Sequence, residues 1–580
     1  MKYGVKGGLV ACAALSAGCA WADFSVDLDW SVKPLKDVRT STCGPIVGYA
    51  GCFVEIPIGE DSETYLFDTD RENTARVLKE AGAYHQRMWQ ANAWFMRGKP
   101  EYRKVWEEKN AKLPPNRRRP FDGSNPKAAF EFWKQNGIKL LFTLEAWNGE
   151  TSKKEILEFV DWIVKNDYKG VVAGFELGNE SYFNKAYPTL APLWTDIVNE
   201  IAKRWPGVKI GITLAENFEL NPDLTQVRNR MLAAGEIKRD AYFAAADFNR
   251  YSAQFTVAMS NCLDKITHVT FHAYGAEPPY SCSYYGMKRF RDWCSVFPEL
   301  KGKKWWLTEI RPRSDEDNRC QRIFRESLVM AHYSLMAVCQ PEVDAFNHHQ
   351  IGELSGGIYR SDGKTWSYQW ADAGGSFADR RAPGGRRRME AGHMGVMYRI
   401  VAEALLDHPL VLHHGTSQAT DTEDAFYTSA RVMDQAYARR RALKEGKKAA
   451  GGMFGGGAPE VAGEVEWIAA TDAGRSRLCL LMVNSKNAAE TVTVTIPGKI
   501  FAAPAYRTLS CPEKFVDCRV IPGEAHPWRE LAWEDTQSGF DVVRMEKYEG
   551  MKPAAGTLTV TIEPHTVQSV TVQLGNAPKK

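Results

Sequence analysis

Two short stretches of this sequence end an apolar run on a carboxylate. "GFELGNE" closes on Asn179-Glu180, and "WWLTE" closes on Glu309. Two carboxyl groups held at neighbouring strand ends can divide acid and nucleophile chemistry between them. One, kept protonated, donates to a leaving oxygen while the other, ionised, attacks carbon, as in the cleavage of glycosidic bonds. Mutual repulsion and burial raise the pKa of whichever group has fewer donors around it. Asn179-Glu180 has a second reading as a helix start, since Asn is a good N-cap and Glu suits the first turn. That reading accounts for the pair alone and not for Glu309.

For the two carboxylates to meet, the chain must bring distant strands side by side. Short apolar runs alternate with amphipathic helical patterns over residues 51–407. "GCFVEIPI" (Gly51 to Ile58), "AYHQRMW" (Ala83 to Trp89), "IKLLFTL" (Ile138 to Leu144) and "GVVAGFEL" (Gly170 to Leu177) read as strands one to four. "VKIGITL" (Val208 to Leu214), "ITHVTFHAY" (Ile266 to Tyr274), "KKWWLTE" (Lys303 to Glu309) and "VDAFNHHQ" (Val343 to Gln350) read as strands five to eight. Such alternation implies parallel strands with right-handed crossovers, and eight repeats predict an α/β fold, a (β/α)8 TIM barrel. A doubly wound open sheet is the runner-up, but no G-x-G-x-x-G follows a strand. In a barrel the active site lies at the C-terminal strand ends. Side-chain alternation then puts Glu180 on one face with Gly178 and Glu176, and Glu309 on one face with Leu307 and Trp305.

The last part of the chain changes character. "RLCLLMVNS", "ETVTVTIPG" and "GTLTVTIEPHTVQSVTVQL" alternate apolar and polar residues between turn residues, the pattern of an antiparallel β-sandwich. "DFSVDLDWSV" (Asp23 to Val32) alternates likewise, so an N-terminal strand is expected to join it. The predicted division is a signal peptide over 1–22, a catalytic barrel over 51–407, and a β-sandwich from 23–50 plus 408–580.

The totals fit an enzyme-sized globular chain of 580 residues, 44% hydrophobic and 25% charged. A net charge of +3 gives no reason to expect nucleic acid, and 18 Trp supply flat faces that suit either sugar stacking or an aromatic core. Lys2 and Lys6 precede a short apolar stretch, and Ala20-Trp21-Ala22 fits a leader cleavage site. The stretch is too short for a membrane span. Export to the periplasm, cell surface or medium is expected, with lipidation at Cys19 as the competing fate of the leader. Cys12 and Cys19 fall in that leader, leaving ten cysteines, with Cys43/Cys52, Cys282/Cys294 and Cys511/Cys518 as candidate short-range disulfides. No zinc-binding spacing occurs, so no metal is expected.

Asn179-Glu180 after strand four, with Glu309 closing strand seven, resembles the large clan of retaining glycoside hydrolases with (β/α)8 barrels. "ELGNE" (Glu176 to Glu180) is similar to the branches of heparanase-type β-glucuronidases, arabinofuranosidases and the β-xylosidase/α-iduronidase family. The resemblance implies that Glu180 is the general acid/base and Glu309 the nucleophile. It further implies that Asn179 binds the substrate hydroxyl next to the anomeric carbon, and that no cofactor is needed. A C-terminal β-sandwich with an N-terminal strand belongs to the same likeness.

Other residues at the predicted mouth take supporting roles. Arg87, ending strand two, is placed either to hold Glu309 ionised or to pair with Glu176 inside the barrel. His272 and Tyr274 end strand six, and a Tyr hydroxyl there suits orienting the nucleophile, as the resemblance also suggests. Trp89, Trp147, Asn148 and Gln350 sit at strand ends, and Trp366 and Trp370 in the loop after strand eight could form a sugar platform. Glu145, after strand three, is the rival carboxylate, a binding residue at best. Arg311 and Arg313 follow Glu309, and "DRRAPGGRRR" (Asp379 to Arg388) is strongly basic. They suit a uronate or sulfate through bidentate bonds, or pair with Asp315, Glu316 and Asp317. A sugar-binding protein that has the fold without turnover is the alternative, set against the presence of both carboxylates.

Overall fold

Eight short strands close into one parallel barrel. The computed structural model describes residues 22–41, 47–51, 78–79, 82–115, 124–181, 190–214, 255–256, 258–275, 300–312, 324–348, 355–360, 365–366, 387–391, 393–417, 465–511, 544–547 and 556–577. In barrel order the strands are Val47–Gly51, His85–Met88, Lys139–Leu144, Val172–Leu177, Ile210–Thr213, His268–Gly275, Lys304–Pro312 and Val343–His348. The eighth pairs with the first through Phe346 and Val47, which closes the ring. The expected first strand, 51–58, is therefore corrected to Val47–Gly51, and residues 52–58 lie outside the described residues. Strands two to eight fall where the apolar runs placed them.

The outer face of the barrel packs on helices whose apolar residues recur at helical spacing. In Glu150–Lys165 the buried positions Ile156, Phe159, Val160 and Ile163 follow the i, i+3, i+4, i+7 pattern. Phe159 meets Phe142 and Phe175 of strands three and four at centroid distances of 5.1 and 6.5 Å. Trp94, Trp133, Trp194, Trp305 and Trp306 are fully buried, so these tryptophans serve packing. Among the described residues no helix is long and apolar enough to cross a membrane.

Inside the barrel, a bulky apolar plug lies beneath a polar layer. Leu141, Ala173, Trp306 and Ala345 form the plug, with His268 stacked on Trp306 at 3.9 Å. Room for that indole comes from missing side chains. A Cβ on Gly174 would stand 2.4 Å from the Trp306 ring, and one on Gly211 would stand 2.9 Å away. Gly174 in "GFELGNE" is thus a packing requirement of a residue 132 positions downstream (306 − 174).

The expected face of Glu309 is also corrected. Trp305 and Leu307 point outward into the helix-facing core, whereas Trp306 packs in the plug and the Thr308 hydroxyl reaches the interior Glu176. Simple alternation would send Glu309 outward with Leu307. The register against strand six instead steps from Phe271–Leu307 to His272–Glu309, skipping Thr308. A β-bulge there re-aims the side chain, so that Thr308 and Glu309 both serve the interior.

The C-terminal sheets form the expected sandwich. Ala22–Asp27 pairs in parallel with Glu490–Thr495, which pairs antiparallel with Thr557–Ile562. A seven-stranded sheet runs Arg544–Lys547, Lys499–Ser510, Thr566–Asn576, Arg477–Asn484, Val465–Thr471, Leu410–Thr416, Lys36–Asp37. Strand Arg477–Asn484 shows how one sheet serves two cores. Leu478, Leu480 and Met482 face the small sheet, while Cys479, Leu481 and Val483 join the barrel core beside helices Phe324–Cys339 and His393–Asp407. A third, antiparallel sheet follows strand eight: Ser355–Arg360 pairs with Thr365–Trp366 and Arg387–Ala391. Trp366, Arg387 and Arg388, expected in loops, are therefore on strands.

Cys262, Cys339 and Cys479 are buried free thiols, so the ten cysteines are not all paired. Burial pushes the Cys479 thiol up to about 12 and the Cys339 thiol well above its ordinary range. Cys43, Cys52, Cys282, Cys294 and Cys518 of the candidate disulfides lie outside the described residues.

Candidate active site

Strand four ends at Leu177, and the next three residues turn sharply. Gly178 (φ 82) donates its amide to the Leu144 carbonyl at 2.8 Å and accepts from the Thr213 hydroxyl at 2.9 Å. Asn179 and Glu180 lie in a bend, and Glu180 has a left-handed backbone with φ 45. For a residue with a Cβ this costs about 1–2 kcal/mol. Ser181 begins a 3-10 turn directly afterwards, so the pair stands just ahead of a helical turn, with the left-handed Glu180 outside it. Strain at a residue of this type is the kind held where a side chain must be aimed.

Arg87, fully buried on strand two, binds three partners with three nitrogens. Nε donates to Glu176 Oε2 at 2.6 Å, one terminal nitrogen to Glu309 Oε1 at 2.7 Å, and the other to Asn179 Oδ1 at 2.7 Å. Arg87 thus pairs with Glu309 and with Glu176 at once. Glu176 is further held by the hydroxyls of Thr143 at 2.8 Å and Thr308 at 2.9 Å. The planar guanidinium fork can serve three acceptors in fixed directions, which an ammonium cannot do. It orients the Glu309 carboxylate and favours its ionised form, and it fixes the Asn179 side-chain oxygen.

His272 bridges the two principal carboxylates. Its Nδ1 lies 3.1 Å from Glu180 Oε1 and 3.4 Å from Glu309 Oε2. Burial alone would lower its pKa, but the Glu309 charge and the Glu180 hydrogen bond outweigh that and raise it. A carboxylate oxygen of Glu180, a ring nitrogen of His272 and a carboxylate oxygen of Glu309 all lie within 4.8 Å of one another. Glu309 is almost fully buried, whereas the Glu180 side chain is 33% exposed. One carboxylate thus sits at the floor of the site and the other at its open edge. The same trio has donors close enough together to hold a cation.

The fold is shared with solved glycoside hydrolases. An α-L-arabinofuranosidase from Thermotoga maritima, in complex with arabinose, superposes with TM-score 0.54 over 95% of this chain and 99% of its own, at 11% identity. Family 51 α-L-arabinofuranosidases from Thermotoga petrophila and Bifidobacterium longum give TM-scores of 0.53 and 0.51, each at 12% identity and 95% coverage of this chain, with 100% and 99% of their own lengths covered. No protein-family model and no curated protein sequence matches the chain. At such identities the likeness establishes a TIM barrel with a β-rich companion domain.

The other expected residues divide into those gathered at the site and those elsewhere. Asn179, Arg87, His272, Glu180 and Glu309 come together. Trp89 stands beside them, donating its indole N–H to Glu145 Oε1 at 3.2 Å. Trp147 and Asn148 follow strand three and are exposed, Trp147 by 44%. Tyr274 and Arg311 face each other in the strand six–seven register, and Trp366 opposes Ile358. The side chains of these three residues, together with Gln350, Arg313 and Trp370, lie outside the described residues. Thr143 and Thr308 escaped the sequence reading. An interior Thr in an apolar strand carries no signal until its carboxylate partner is known.

Proposed function

We propose that this protein is a retaining glycoside hydrolase working by double displacement. The observation that carries the reading is the approach of Glu180 and Glu309 at the ends of strands four and seven, with oxygens within 4.8 Å. That closeness supports the retaining arrangement, in which the carboxyl groups stand about 5–5.5 Å apart, over the wider inverting one. Glu309, ionised against Arg87, attacks the anomeric carbon and forms a glycosyl-enzyme. Glu180, at the open edge, protonates the departing oxygen and then takes a proton from the incoming water. Asn179, its carbonyl oxygen fixed by Arg87, has its amide nitrogen for the hydroxyl beside the anomeric carbon. His272 links the two carboxylates, so that charge lost from one is felt at the other.

The substrate in this reading is a polysaccharide or oligosaccharide, and the shared fold with arabinofuranosidases supports a glycan. The basic residues following Glu309 and in 380–388 favour an acidic glycan bearing uronate or sulfate. The leader-like first 22 residues favour export. The test is a panel of neutral and acidic glycans with product anomers followed by NMR. Retention is expected, with activity lost in Glu309→Ala. Inversion, or unchanged turnover in that variant, would reject the mechanism, and cleavage of neutral glycans alone would reject the acidic substrate.

A further inference from the structure

Glu145, just beyond strand three, is buried at the wall of the site. Its Oε1 accepts two hydrogen bonds, from the Asn179 backbone amide at 3.0 Å and from the Trp89 indole at 3.2 Å. Asn92 clamps its main chain from both sides: Oδ1 accepts from the Glu145 amide at 3.0 Å, and Nδ2 donates to the Glu145 carbonyl at 3.1 Å. The second oxygen, Oε2, is buried with no hydrogen-bond partner among the described residues. With two hydrogen bonds on one oxygen and none on the other, a buried carboxylate here is only half compensated, which disfavours the ionised form.

We propose that Glu145 is a positioning residue of the active site, whose single accepting oxygen locks the substrate anchor Asn179 and the wall residue Trp89 into one rigid unit. The proposal rests on the glycosidase reading for its kinetic consequence. Asn179 is held at both ends, its side chain by Arg87 and its backbone by Glu145, and it leads directly into the strained Glu180. Loosening Glu145 therefore disturbs the acid and the anchor together. Burial raises the Glu145 pKa to about 7, against the lowering effect of the Trp89 and Asn179 bonds. The charged groups around it are Glu176, which raises it further, Arg87, which lowers it, and Glu155, reached through Asn92 Nδ2 at 3.4 Å. At neutral pH the residue stands at the edge of ionising. Ionisation would place a third carboxylate charge within the field of Arg87, in competition with Glu309 and Glu176.

Two variants test this. Glu145→Ala removes the lock and is expected to lower kcat by about 10²-fold, with KM little changed because the anchor acts in the transition state. Glu145→Gln keeps an accepting oxygen and cannot ionise. It should lose less, and the alkaline limb of its kcat profile should move upward from that of the wild type. A wild-type kcat in Glu145→Ala, or an identical alkaline limb in Glu145→Gln, would overturn the proposal. A second measurement needs no turnover. Because the folded pKa is raised above the ordinary 4.5, the wild type should lose stability between about pH 4.5 and 7 and then level off. The Tm advantage of Glu145→Gln should grow over that window, and a flat difference would reject the buried neutral acid. If no glycoside is cleaved by the wild type while this difference appears, the hydrolase reading fails and the assignment of Glu145 as a buried neutral acid stands.

Discussion

Two buried clusters in this protein hold carboxylates in opposite ways. At the barrel floor Glu176 and Glu309 share Arg87, a cation at every accessible pH. Where helix Phe324–Cys339 meets the large sheet, Glu466 is held by two histidines, His332 at 2.6 Å and His414 at 2.6 Å, and His332 continues to the Ser485 hydroxyl at 2.7 Å. Burial works to raise the Glu466 pKa, and the hydrogen bonds from His332 and His414 more than offset it, so the pKa is lowered. The barrel cluster is built around a permanent charge, which in the proposed mechanism keeps Glu309 ionised for attack. The joint between barrel and sandwich uses titratable partners, since orientation is its whole task.

The largest expected effect would break the first cluster. Arg87→Met leaves Glu176 and Glu309 buried without their guanidinium, a loss of about 3–5 kcal/mol, read as a fall in the urea midpoint. Arg87→Lys should recover part of the stability and little of the activity, because an ammonium cannot serve three fixed acceptors. Equal activity in wild type and Arg87→Lys would show that charge alone matters there.

Breaking the second cluster costs less. Glu466→Gln should lower stability at pH 7 by about 1–3 kcal/mol. The acid arm gives the sharper contrast. A folded pKa below the ordinary 4.5 contributes stability that is present above that pH and lost as pH falls through the folded value. Stability curves of wild type and Glu466→Gln should therefore draw together as pH falls below 4.5. Parallel curves would mean that Glu466 does not titrate as a paired carboxylate.

A purely steric change should cost about as much as the second cluster. Gly174→Ala sets a methyl 2.4 Å from the buried Trp306 ring and should cost about 1–3 kcal/mol. Pairing it with Trp306→Phe should recover part of that loss, and simple additivity would argue against a shared contact. The smallest effect belongs to an exposed pair: Arg103→Ala, which breaks the i, i+4 bridge to Glu107, should cost about 0.3–0.5 kcal/mol. A larger value there would undo the claim that burial separates the two clusters from ordinary surface pairs.

Much of the site was legible because it lies at strand ends, where an apolar run stopping on a polar residue marks both the fold and the mouth. Glu180, Glu309, Asn179, Arg87 and His272 stand out that way, and the structure gathers all five. The first strand was misread because "GCFVEIPI" is a stronger apolar run than Val47–Gly51, and pairing with strand eight is a long-range choice that local composition does not contain. Glu145 reads as a second-rank carboxylate because its importance lies in two N–H groups donated from residues 89 and 179. The His332–Glu466–His414 cluster has no sequence signature, since its members come from a helix and two paired strands of the large sheet that lie far apart in the chain.

By itself the sequence determined the periodicity of the elements, and through it the barrel, the sandwich and the strand ends on which carboxylates could stand. Those follow from local pattern, because apolar spacing of two or 3.6 residues selects strand or helix wherever it occurs. The tertiary structure decided which way the decisive side chains point. A bulge beside Thr308 turns Glu309 inward against simple alternation, a left-handed backbone aims Glu180, and one guanidinium ties strands two, four and seven together. Each of these depends on partners far apart in the chain, and register and hydrogen-bond direction exist only once those partners are in contact.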